Sequence, residues 1–136
     1  MSNSEYIFSI FLFFVVIFIT FNTQYSDNDL IFGKWVGTYQ GNKIEMNFYE
    51  DNQFNFVSED KVSEFTNTLK GNFFADFSKK PVPLSFKNIK GLGYPLHTII
   101  KFKGDDILIM ERFSKANKLR PTSFNSSVLI VLNRKQ

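Results

Sequence analysis

Residues 33–57 run Gly33-Lys34-Trp35-Val36-Gly37-Thr38-Tyr39, Gln40-Gly41-Asn42, Lys43-Ile44-Glu45-Met46-Asn47-Phe48-Tyr49, Glu50-Asp51-Asn52, Gln53-Phe54-Asn55-Phe56-Val57. In the central segment Ile44, Met46 and Phe48 alternate with Lys43, Glu45 and Asn47. That period of two puts the apolar side chains on one face of a strand and the polar ones on the other. The Gln-Gly-Asn and Glu-Asp-Asn triplets carry the residues that tight turns require. Three short antiparallel strands in sequence are expected, each buried on one side.

The same grammar continues downstream. Ser58 to Phe65 is polar and reads as a loop. Thr68 to Phe77 resumes the alternation, with Leu69, Gly71, Phe73 and Ala75 on one face, Lys70, Asn72 and Asp76 on the other, and Phe74 out of pattern. Lys79-Lys80-Pro81 turns the chain into Val82 to Lys87, where Pro83 removes a ladder donor and points to an edge or rim strand. Asn88 to Pro95 is a loop with Gly91 and Gly93. Leu96 to Phe102 and Ile107 to Arg112 form a hairpin around Lys103-Gly104-Asp105-Asp106. Phe113 to Asn125 reads as a second polar loop, and Ser127 to Asn133 as a final strand lightly covered on its outer face. Eight strands with turn signals about every 8 to 12 residues predict an all-β fold. An antiparallel eight-stranded up-and-down barrel leaves no exposed edge; an open sandwich is the alternative.

Residues 1–26 do not belong to this pattern. Ile7 to Phe21 is an uncharged apolar run of 15 residues containing six Phe. Its lack of a wet face argues against a core element of so small a domain. It suits a signal peptide in length and falls short of the roughly 20 residues of a spanning helix unless its flanks sit at the interfaces. The preceding residues hold Glu5 and no Lys or Arg, and no small-x-small cleavage site follows, so an uncleaved N-terminal hydrophobic helix is favoured over a cleaved signal. The expectation is a 27–136 domain that is membrane-anchored outside the cytoplasm, or secreted or periplasmic if the leader is cut.

Composition narrows the chemistry. With 43% hydrophobic and 21% charged residues the chain can bury a core, and about 110 residues suffice for one domain only. The formal charge of +3 is spread beside acids, as in Glu59-Asp60-Lys61, with no basic stripe of the kind nucleic acid needs. The absence of cysteine excludes disulfides, thiolate metal sites and a cysteine nucleophile. His97 is the only histidine and has no second His or Cys with which to share a metal. Asp105 and Asp106 read as turn residues before metal ligands, and Arg120 as a solvated or locally hydrogen-bonded side chain before a binder of an anion or a partner. No nucleophile elbow or phosphate loop occurs, so no enzyme activity and no cofactor are expected.

The Gly33-Lys34-Trp35 opening resembles the first strand of the lipocalin and fatty-acid-binding superfamily. The ordered set of Gly71-x-Phe73, Lys79-Lys80-Pro81, Gly104-Asp105, Arg120-Pro121-x-x-Phe124 and a final strand ending Asn133-Arg134-Lys135 is similar to uncharacterised bacterial lipocalin-like domains, often secreted, over most of residues 31–135. The resemblance implies that Trp35 plugs one end of the barrel with Arg134 across its ring, a contact worth roughly 0.5–2 kcal/mol. It implies no established activity.

Twelve of the 18 Phe follow the leader. If Met46, Phe48, Phe54, Phe56, Phe73, Phe86, Ile100 and Phe102 face inward, they either line a cup for a small apolar ligand or pack solid. Bulky side chains at so many positions favour a filled interior. The reading is a non-catalytic, membrane-associated or secreted barrel that binds a small apolar ligand or simply acts as a stable module. The alternative is a membrane-tethered interaction or structural module using the 88–95 and 113–125 loops.

Overall fold

The computed structural model describes residues 26–63, 66–115, 119–125, 127 and 129–136; the apolar run 7–21 and Val128 lie outside them. A single turn of helix, α1 (Asp27–Leu30), leads into β1 (Gly33–Tyr39), β2 (Asn42–Phe48), β3 (Gln53–Glu59), β4 (Thr66–Ala75), β5 (Val82–Lys87), β6 (Leu96–Lys103), β7 (Ile107–Met110), β8 (Ser114–Lys115) and β9 (Ile130–Arg134). All pairings are antiparallel. They run β5-β4-β3-β2-β1-β9-β7-β6, and β5 pairs with β6 to close an eight-stranded barrel, with the short β8 also on β6. Among the described residues no helix is long and apolar enough to cross a membrane.

Closure explains Pro83. It sits in a strand paired on both sides, so of the edge or rim positions that the sequence suggested the edge is excluded. Its carbonyl accepts from Asp76 N–H at 3.1 Å, on the β4 side. In a strand a residue's N–H and C=O point the same way, so the missing donor falls where β4 has already ended at Ala75. The barrel also needs two close crossings. A Cβ on Gly37 would lie 2.3 Å from the Val131 carbonyl oxygen, and one on Gly71 would lie 2.6 Å from that of Lys87.

The C-terminal third departs most from the sequence reading. The last strand starts at Ile130, with Ser127 in a turn, and its outward Val131 is 44% exposed, not lightly covered. The strand expected over 107–112 is broken: Met110 faces Ile100, whereas Ser114 faces His97. One extra residue has entered the chain opposite β6, a bulge. Thr98 stabilises it, its hydroxyl donating to the Glu111 carbonyl at 2.6 Å. The stretch read as a polar loop from Phe113 thus begins inside the fold.

Candidate functional site

The expected inward set does face the interior. Met46, Phe48, Phe54, Phe73, Phe86 and Ile100 are buried, and Phe56 and Phe102 are half-buried against them. The rings interlock edge to face: Phe48 with Phe73 at 4.9 Å, and Phe54 with Phe86 at 4.5 Å between centroids. Phe113, which the polar surroundings disguised in the sequence, completes the stack at 5.5 Å from Phe86. The space left beside Met46, Phe54, Phe56, Leu69, Leu96 and Phe113 is about 10 Å³. A drug-sized ligand takes roughly 300–1,000 Å³. Of the two arrangements left open by the sequence, the barrel at this level has the solid one.

At one end Ile31, just after α1, is buried with Trp35. The Trp35 indole N–H donates to the Ile31 carbonyl at 2.8 Å, and the Arg134 guanidinium carbon lies 4.2 Å from the indole centroid. Arg134 also donates to the carbonyls of Leu30, Phe32 and Asp105 at 2.6, 2.9 and 2.9 Å. One planar fork therefore joins α1, the entry to β1 and the β6–β7 turn. Gly33, at φ +110°, lets the chain pass beside it.

On the outer wall the segment 119–125 crosses the β5–β6 seam. Arg120 Nη1 donates at 2.6 Å to the carbonyls of Leu84 and Thr98, which face each other across the seam. Nη2 donates to Ser85 Oγ at 2.6 Å and to His97 Nδ1 at 3.3 Å, and Ser85 and His97 are themselves 3.0 Å apart. A guanidinium only donates, so His97 Nδ1 is an acceptor and its proton sits on Nε2; the Ser85 hydroxyl then donates to Nδ1. Burial, followed by the charges of Arg120 and Lys87, holds His97 below its ordinary pKa, and burial also lowers Arg120. Ser85 and His97 have the spacing of a nucleophile and base, yet Ser85 is only 7% exposed and lies beneath Arg120. The cluster fastens a segment to the wall. At the far end of that segment the buried Glu111 carboxylate accepts from Asn125 N–H at 2.6 Å and from Arg112 N–H at 2.9 Å. Ile99, outward on β6, is 2% exposed.

Beside this fastening lies a groove of about 510 Å³. The β5–β6 ladder ends at Val82↔Ile100, and β6 runs on through Lys101 and Phe102 without a β5 partner. The wall opens there. The floor is Val82, Ile100 and Phe102; Lys80, Pro81 and Asp27 form one bank, and Thr122, Ser123 and Phe124 the other. Lys80 is paired with Asp27 at 2.8 Å, and the Lys101 ammonium sits 4.6 Å from the Phe124 ring centroid. A second concavity, of about 670 Å³, lies by α1 and is ringed by Asn28, Asn52, Asp76 and Ser78. Asp76 there engages Ser78 and Lys79, and the polar ring offers less to an apolar guest. Of the expected inward residues, Ile100 and Phe102 reach the groove and the other six do not. Phe124 and Val82 were not among them; the Arg120-Pro121-x-x-Phe124 spacing was visible in the sequence, but not that its Phe folds back over β6. Among the described residues no group of His, Asp or Glu is placed to hold a metal ion. No family model, no curated protein and no solved structure matches the chain.

Proposed function

We propose that the chain is a non-catalytic, lipocalin-like domain, carried to or across a membrane by residues 7–21, that takes a small apolar or amphiphilic molecule in the lateral groove at the end of the β5–β6 seam. The observation that carries this reading is a contrast of volumes: about 10 Å³ among the inner Phe side chains against about 510 Å³ between Phe102 and Phe124. The second figure falls in the range of small-molecule sites, with an apolar floor and a largely polar rim. The lipocalin likeness draws support from the Gly33-x-Trp35 opening, the indole under Arg134 and the helical turn ahead of β1.

Titration of the domain with the amphiphilic dye 1-anilinonaphthalene-8-sulfonate tests the groove. Burying a Phe against a ligand contributes roughly 1.5–3 kcal/mol, so Phe102→Ala and Phe124→Ala are each expected to weaken binding about tenfold or more. Phe56→Ala, away from the groove, should leave it unchanged. A dye that stays dark, or that responds equally to all three variants, overturns the reading.

A further inference from the structure

We propose that His97 is an acid-sensitive latch: its protonation releases segment 119–125 from the barrel wall and, with it, the contents of the groove. The inference rests on the groove as the binding site and adds its regulation. The geometry is specific. Thr122, Ser123 and Phe124 form one bank of the groove, and they follow directly on Arg120, which holds the segment to β5 and β6. Of the four acceptors around Arg120, two are backbone carbonyls that no pH change alters. The other two, Ser85 Oγ and His97 Nδ1, form one hydrogen-bonded pair.

A proton on Nδ1 changes both contacts of the imidazole in this corner together and leaves the Arg120–Ser85 bond in place. Nδ1 becomes a donor facing the Arg120 donor at 3.3 Å, the Ser85 hydroxyl loses its acceptor, and two like charges stand side by side. The surroundings do not offset this. From β5 the neighbours are Ser85 and the cation Lys87; from the segment, Arg120; from β8, Ser114, whose hydroxyl donates to the His97 carbonyl at 3.2 Å. Glu111 is engaged with the N–H groups of Arg112 and Asn125, and no ion pair to His97 is present among the described residues. The charges that act on His97 among the described residues are the cations Arg120 and Lys87, an environment in which the neutral imidazole fits and the charged one does not. The segment stays attached through Glu111 and Asn125, so release is a hinged opening and not global unfolding.

The test uses the full chain in lipid nanodiscs between pH 7.5 and 5. Hydrogen exchange of the peptide containing 119–125, corrected for intrinsic rates, reads the segment. A diazirine-bearing decanol, with crosslinks mapped by peptide mass spectrometry, reads the groove. The segment is expected to lose protection at least tenfold on acidification, with a midpoint below pH 6.5, while β2 and β3 keep theirs. Crosslinks to the peptides of Phe102 and Phe124 should fall over the same range. His97→Asn, whose amide oxygen can accept from Arg120 but does not titrate, should stay latched throughout; Arg120→Ala should be open throughout. Protection of 119–125 that is flat with pH, or that keeps the same midpoint in H97N, overturns the latch. If the segment opens on cue while no crosslink ever maps to Phe102 or Phe124, the latch stands and the groove reading fails.

Discussion

Arg134 shows how much one side chain decides at the residue scale. It lies on an indole and feeds three carbonyls from two separate parts of the chain. Its partial ion pair with Asp106, at 3.8 Å and with Asp106 largely exposed, adds little. Arg134→Ala strands carbonyls at a partly buried junction, so a loss of about 2–4 kcal/mol is expected in urea unfolding. Arg134→Lys should recover less than half, because an ammonium has no planar fork to span the acceptors. A Lys variant indistinguishable from the parent would mean that charge alone matters here. The pairing of Trp35 with Arg134 was suggested by the Gly33-x-Trp35 resemblance. The role of Arg120 was not: nothing local in Leu119-Arg120-Pro121 reveals that its partners are carbonyls more than 20 residues away in sequence.

Among the elements, the β1–β3 hairpins were legible almost to the residue, since alternation and turn chemistry agree there and the partners are adjacent in sequence. The stretch after Met110 was not. A bulge shifts the parity of everything beyond it, so Phe113 lands inside although its neighbours are polar. Ile89 is the other case: it stands in the Gly-rich 88–95 loop and is nonetheless in the core. Phe113→Ala should therefore behave as a core truncation, costing about 3 kcal/mol, the low end for a Phe because the ring is half-buried. Phe74→Ala is the control, its ring being 54% exposed under Lys87. Chemical denaturation of both variants checks the contrast. Similar, small losses would place Phe113 outside the packed interior.

For the whole molecule, His97 and the lowered carboxylates Glu45, Asp60 and Asp76 set the acid response. His97 titrates below its ordinary value of 6.5 when folded, through burial and then the charges of Arg120 and Lys87. The unfolded chain takes up that proton first, so its contribution is complete above about pH 6.5 and is lost as the pH falls through the folded value. Glu45 is lowered from 4.5, first by its hydrogen bond to Lys34, against a smaller opposing effect of burial. Its contribution is complete above about pH 4.5 and disappears as the pH falls through its folded value. Urea midpoints between pH 8 and 3 should decline in two steps, and H97N should erase the upper one alone. The proposed anchor is tested on the same scale. Intact mass of the membrane-bound chain is expected to include residues 7–21; a mass starting between Asn22 and Asp27 would establish release, and a full-length chain in the soluble fraction would overturn the anchor. By itself the sequence determined the all-β class, the strands as far as Leu96 and the inward Phe set, because period-two burial and turn residues are written locally. Only the tertiary structure decided that the inner Phe side chains pack against one another, that Pro83 lies in a closed wall and that a lateral groove opens between Phe102 and Phe124. Those depend on which strands meet, how one bulge resets parity, and where a loop returns to a wall far from it in sequence.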